Sequence, residues 1–213
     1  VGNRAGQRIL AGQIRRGHTE SMTAAIWLSD LRGFTRLSDM LPPNAVVDVL
    51  NLYFDCQVEP IKQHGGEVLK FMGDGLLAVF PVAEGGADTA EVCHRVLAAA
   101  RACRERVAAM SYTHDGQILD GFRFGLALHV GDVLYGNIGG GDRLDFTCIG
   151  PAVNLAARLE KIASDTNRTI IASEVFAAAA PQHWTNLGEF PIAGFRRAER
   201  VYGLADETSS LRK

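Results

Sequence analysis

The sequence predicts an α+β domain. Three observations carry this: apolar runs of strand length, two long stretches with apolar residues at helical spacing, and glycine-marked turns between them. With 213 residues, 47% of them apolar, the chain can bury one large core. It is 22% charged, too apolar and too balanced for a disordered chain. Twenty-two basic residues against 24 acidic ones give a net charge of −2, which argues against nucleic-acid binding through a broad basic surface. No apolar run approaches the roughly 20 residues that span a bilayer, so this segment predicts no direct membrane contact. The cysteines Cys56, Cys93, Cys103 and Cys148 have no CxxC spacing, as expected of a reduced, cytoplasmic chain. The chain starts at Val1, without a methionine, and residues 1–20 read as a linker from a missing upstream module, which could itself attach to a membrane.

From Thr23 the elements follow in order. TAAIWLSD is a buried strand. LPPNAVVDVLNLYFDCQVEPIKQHGG is a helix with Pro43 near its start, an apolar face of Val46, Val49, Leu50, Tyr53 and Phe54, and Gly65-Gly66 as its stop. Pro60 predicts a kink or an early end. EVLKFMGDGLLAVFP is a hairpin around Gly73-Asp74-Gly75. A helix over roughly 85–110 presents Cys93, Val96, Leu97, Ala100, Cys103 and Val107 on one face. FRFGLALHVGDVLYGNIG and GGGDRLDFTCIG are strands around a glycine-rich excursion. GPAVNLAARLEKIAS is a helix with Pro151 in its first turn. RTIIAS (strand), EVFAAAA (short helix), HWTNLGEF and AERVYGL (strands) complete the domain, predicted over 21–205 with 206–213 as a tail. The order β-α-α-β-β-α-β-β-α-β-α-β-β contains a ferredoxin-like βαββαβ core with extra C-terminal strands and helix.

Two carboxylates stand where the chain must turn. Asp30 ends the first strand and Asp74 sits at the hairpin tip; if those strands are neighbours, both emerge at one sheet edge as a hard-oxygen site for Mg²⁺ or Mn²⁺. Asp74 also suits a plain Asp-Gly turn, and Asp30 a helix cap before Gly33-Phe34-Thr35. The segment Leu31-Arg32-Gly33-Phe34-Thr35 turns from strand to helix and could present backbone N–H groups to a phosphate. Lys70, four residues before Asp74, shares its face in a strand of period two, or is simply a solvated edge residue. Asn154 and Arg158, at i and i+4, project away from the stripe of Leu155, Leu159 and Ile162, as a phosphate clamp or as a solvated face.

SDLRGFTRLSD, GGEVLKFMGDGLLAVF and IGPAVNLAARLE, in this order and spacing, resemble the catalytic domain of class III nucleotidyl cyclases over about residues 21–205. The resemblance implies a lyase of signal transduction. Two Mg²⁺ or Mn²⁺ ions would be held by Asp30, Asp74 and the Leu31 carbonyl, and the ribose 3′-hydroxyl of ATP would attack its own α-phosphate, giving 3′,5′-cyclic AMP and pyrophosphate. It further implies that Asn154 orients the ribose, that Arg158 compensates transition-state charge, and that Lys70 and Thr147 read adenine. Threonine at that second position resembles class IIIb, the bacterial Lys/Thr adenylate cyclases that include bicarbonate-responsive enzymes. Cys148 is one position away from the base-reading place. A lysine that touches the triphosphate in many relatives is replaced by Ala193, leaving Arg196 or Arg197 as substitutes. Because both residue sets lie in one chain, the resemblance implies a head-to-tail homodimer with two shared sites. A guanylate cyclase, disfavoured by Lys70, and a silent nucleotide-binding dimerisation module are the competing readings.

Overall fold

The computed structural model describes residues 19–82, 88–140, 143–195 and 197–207, with side chains described outside 137–146. The first strand, β1 (Thr19–Leu31), leads through a short helix α1 (Phe34–Met40) into α2 (Pro43–Gln63), followed by the hairpin β2 (Glu67–Met72) and β3 (Gly75–Pro81). Helix α3 (Thr89–Ala109) begins at Asp88, whose carboxylate accepts from the Ala90 N–H at 3.1 Å. A small hairpin, β4 (Tyr112–His114) and β5 (Gln117–Leu119), precedes the long β6 (Phe124–Gly140) and β7 (Arg143–Ile149). Then come α4 (Pro151–Asp165), β8 (Ile170–Ser173), α5 (Glu174–Ala177), a 3₁₀ turn at Pro181–His183, β9 (Trp184–Phe190) and β10 (Glu199–Leu204).

The main sheet runs β2-β3-β1-β6-β8-β10-β9, with β7 paired to the far half of β6. Its first four strands are all antiparallel neighbours in the order β6-β1-β3-β2, with α2 and α3 as crossovers, which is the predicted ferredoxin-like core. β6 then pairs in parallel with β8, and the remaining strands extend the sheet. The faces alternate as period two requires. Ala25, Trp27, Leu76, Ala78 and Phe80 turn toward α2 and α3, in a core with Val49, Tyr53, Val96 and Cys103. Ala24, Ile26, Leu28, Leu77 and Val79 turn the other way, toward Tyr135, Cys148 and the start of α4. Leu155, Leu159 and Ile162 are buried against Ala127 and Ile171, so the predicted stripe of α4 is its packing face.

Three expectations change. α2 does not end at Pro60 but continues through it to Gln63, with Pro60 buried. The missing N–H costs one helical bond, and the end is closed beyond it by His64 N–H to the Pro60 carbonyl and Gly66 N–H to the Ile61 carbonyl, with Gly65 at φ 83°. β1 begins at Thr19, inside the stretch read as a linker. Asp206 and Glu207, read as the start of a tail, are tied down: Asp206 pairs with Arg104 at 2.6 Å, and the Glu207 carboxylate accepts from the Thr169 and Ile170 N–H groups. No helix among the described residues is long and apolar enough to cross a membrane. The four cysteines are free.

Candidate active site

The strand pairing answers the condition set by the two aspartates. β1 and β3 are neighbours, and Asp30 pairs in register with Gly75, the residue after Asp74. The turn is fastened to the strand end by the Leu31 N–H donating to the Asp74 carbonyl at 3.3 Å, and the next residue by the Arg32 N–H donating to the Arg123 carbonyl at 2.8 Å. The two carboxyl groups lie close enough for the Asp74 charge to act on Asp30. Burial, then the Asp74 charge, then that of Glu160 push the Asp30 carboxyl up to about 7, against a smaller opposing pull from Arg32. Asp30 does not cap α1: the cap position is Gly33, left-handed at φ 73°, with no side-chain bond.

This geometry fits a divalent cation. Two carboxylates are brought together with only a smaller opposing pull from Arg32, and among the described residues no group of three or more His, Cys, Asp or Glu is placed to hold a metal ion without further oxygens. A site of two carboxylates and a carbonyl leaves most coordination places to substrate and water oxygens, as Mg²⁺ and Mn²⁺ accept.

Around this pair the other predicted residues take distinct places. Leu31 is buried in the core, Phe34 packs at its margin, and Gly33 and Thr35 are exposed on the turn into α1. Arg32 turns to Glu160 of α4 at 3.0 Å. The face shared by Lys70 and Asp74 does not follow from simple alternation, because β2 ends at Met72 and Asp74 belongs to the turn. Instead, the register of β2 shifts between Val68 and Lys70, so Lys70 pairs with Leu77, not Leu76. A bulge of this kind re-aims a side chain. Here it moves Lys70 from the helix-covered face to the face of Leu77, which is also that of Asp30, and turns Phe71 onto the helix-covered face, where its ring packs at a tilt against Phe54 with centroids 4.6 Å apart.

Thr147 pairs with Gly136 on the β6–β7 arm and is half-buried. Its neighbour Cys148 pairs with Tyr135, and both are buried in the second core cluster, so Thr147 takes the arm's other face. The arm touches β2, and Tyr135 Oη donates to Glu67 at 3.0 Å, which brings the strands of Thr147 and Lys70 side by side. Asn154 and Arg158 both stand exposed on α4. The charges acting most strongly on Asp30 are Asp74, Glu160 and Arg32; neither Arg158 nor Lys70 is among them. Ala193 is exposed in a turn beside Gly194, Arg197 is exposed, and Arg196 lies outside the described residues. Sequence reasoning missed Glu160 and Gly125, whose parts depend on contacts between distant segments.

The profile of the adenylate and guanylate cyclase catalytic domain matches residues 18–205. The chain belongs to that family. Among curated relatives, adenylate cyclase 1 of Rhizobium meliloti is 33% identical over 152 residues, covering 70% of this chain and 22% of its own length. The terminal-differentiation-specific adenylate cyclase of Dictyostelium discoideum is 30% identical over 172 residues, covering 78% of this chain and 7% of its own. The cyclase domain thus spans a minor part of these relatives. Among solved structures, the adenylyl cyclase CyaB from P. aeruginosa superposes with a TM-score of 0.70 at 26% identity, covering 92% of this chain and all of that one. The guanylyl cyclase Cya2 gives 0.68 at 28%, covering 91% and 97%. A bacterial light-regulated adenylyl cyclase gives 0.79 at 26%, covering 96% of this domain and 58% of that chain.

Proposed function

We propose that this domain is an adenylate cyclase converting ATP to 3′,5′-cyclic AMP and pyrophosphate, at two sites shared across a head-to-tail homodimer. The observation that carries the proposal is the Asp30–Asp74 pair, fixed on the sheet face to which the β2 bulge also turns Lys70. Divalent ions held by Asp30, Asp74 and the Leu31 carbonyl would neutralise the triphosphate and acidify the 3′-hydroxyl. The protein's own groups position and select. Lys70 donates to adenine N1, and the Thr147 hydroxyl hydrogen-bonds the exocyclic amino group. Asn154 holds the ribose, and Arg158 meets charge developing on the α-phosphate. Arg196 or Arg197 takes the part of the triphosphate lysine whose place Ala193 occupies.

The separation of charges within one chain supports the shared site. Asp30 lies among acidic neighbours and Arg32, while Arg158 stands exposed on α4. A second copy, related by two-fold symmetry, would bring one chain's arginine to the other's acidic turn. Four free cysteines fit a reducing, cytoplasmic location.

Likeness to both adenylyl and guanylyl cyclases leaves the base to Lys70: an ammonium suits the N1 acceptor of adenine and opposes the N1–H donor of guanine. The test is cyclisation by the purified chain with ATP or GTP and Mn²⁺ or Mg²⁺, at several protein concentrations. Specific activity should rise with concentration and favour ATP; equal rates with GTP would overturn the base assignment. Adding bicarbonate at constant pH in the same assay tests the response implied by the Lys70/Thr147 pattern. Asp74→Ala and Arg158→Ala should each be inactive alone, and their mixture should recover roughly a quarter of wild-type activity by symmetry counting.

A further inference from the structure

One ion pair beside the acidic turn has no part in the chemistry proposed above. Arg32 follows Leu31 directly, and its guanidinium meets the Glu160 carboxylate of α4 at 3.0 Å, with the two side chains 19% and 15% exposed. Both lie against Gly125 of β6, which pairs in register with Asp30. A methyl group at Gly125 would fall 1.9 Å from Arg32 Nη2 and 2.6 Å from Glu160 Oε1. The ion pair therefore fills the space of the missing side chain, on the same sheet face as Asp30. A half-buried pair of this kind contributes little net stability, since desolvation offsets attraction; what it supplies is a link between the elements it joins.

The elements joined are the acidic turn and α4. On α4, Asn154 and Arg158 share one stripe, whereas Glu160 lies two residues beyond Arg158, about 200° around the helix axis. One 15-residue helix, packed through Leu155, Leu159 and Ile162, thus carries both an exposed arginine and the brace of its own chain's turn. Given the shared-site reading on which this rests, the arginine serves the partner's nucleotide while Glu160 holds the turn that grips its own. We infer that Arg32 and Glu160 form a positioning pair that couples the two active sites of the dimer, joining each chain's acidic turn to the helix it lends to the other site. Displacement of the turn on binding nucleotide at one site passes through Glu160 to α4, and so to Arg158 at the other.

Mixed dimers separate the two ends of this connection. An Asp74→Ala chain paired with an Arg158→Ala chain forms one intact site, with its acidic turn from the second chain and its arginine from the first. Glu160→Gln, nearly the same shape without the charge, is then placed in either chain, and turnover at saturating ATP is measured alongside the melting temperature. Either placement should lower kcat about 10- to 100-fold, the usual cost of losing an outer supporting partner, with KM for ATP unchanged. A reading without turnover comes from hydrogen exchange. A non-cyclisable ATP analogue should slow exchange of α4 amides more in the wild-type homodimer than in Glu160→Gln, where only direct contact of Asn154 and Arg158 with the nucleotide remains. If one placement alone matters, the pair is a local brace and the coupling is overturned; if neither matters, the positioning role falls too. Should Glu160→Gln melt too low to assay, Arg32→Lys in the same two placements gives the same decision. A mixture without Glu160→Gln that stays inactive despite proven subunit exchange overturns the shared site first, and the coupling with it.

Discussion

The acidic turn and the exposed stripe of α4 are built on opposite plans. At the turn, two like charges are held together by surrounding structure: the strand register, the Leu31 N–H to Asp74 bond, the Arg32 N–H to Arg123 bond and the space above Gly125. On α4, the helix is firmly packed below, but Asn154 and Arg158 reach outward. The difference teaches where the molecule stores strain. A group that must sit against electrostatic repulsion needs over-determined backbone, while a group that must reach across a boundary needs only a rigid base.

Asp30→Asn should break the first plan most severely. Cyclase activity is expected to fall to background, while the domain melted in EDTA near pH 8 becomes more stable by about 1 kcal/mol, because a repelling charge is removed. A product assay beside a melting curve checks both; lower stability would mean that the carboxylates do not oppose each other. Arg158→Ala tests the second plan. Loss of an arginine facing a transferring phosphoryl group costs about 10³-fold or more in turnover. Stability should stay within about 0.5 kcal/mol, as for other exposed positions. A large drop in melting temperature would show that Arg158 is structural.

His129, buried and hydrogen-bonded to Ser173 at 2.8 Å, sharpens the contrast from outside the site. Burial pulls its imidazole down to about 4. Only the unfolded chain takes up a proton between pH 6.5 and 4, so stability is full above 6.5 and falls as pH drops, by about 3 kcal/mol in total. Denaturant titrations of wild type and His129→Gln should diverge in slope across that window, and equal slopes would show His129 already charged when folded. Lys70→Glu is the mildest change. It should move the ATP-to-GTP preference by about 2 kcal/mol, roughly 30-fold, toward GTP. Competition between the two nucleotides measures it, and an unmoved ratio places base reading elsewhere.

Much of this was legible in the sequence because it is local. The α2 and α3 stripes, the β2–β3 hairpin and the two turn aspartates all follow from spacing within a few residues. The β4–β5 hairpin escaped notice although Asp115-Gly116 is a turn signal, since its strands have three residues each and Ile118 is 68% exposed, leaving no alternation to read. The aim of Lys70 was not legible either, because one extra residue in β2 reverses the face that period two assigns. Nor could spacing reveal that Gln57 of α2, fully buried, accepts from Ser29 Oγ and Trp27 Nε1 just behind Asp30. Such contacts join segments whose separation the sequence does not encode as a pattern.

β1 is a single strand of 13 residues, roughly 43 Å at about 3.3 Å per residue, paired with β6 along its whole length. At one end Thr19 lies against Gly136, the partner of Thr147; at the other, Asp30 lies against Gly125. Sliding this rod by one residue would not shift the active site slightly: it would turn Asp30 into the helix-packed core and push Trp27 out of it. Displacement along β1 is therefore quantised, and force applied at its first residues can tilt or carry the strand with its sheet but cannot tune the acidic turn by gradual slippage.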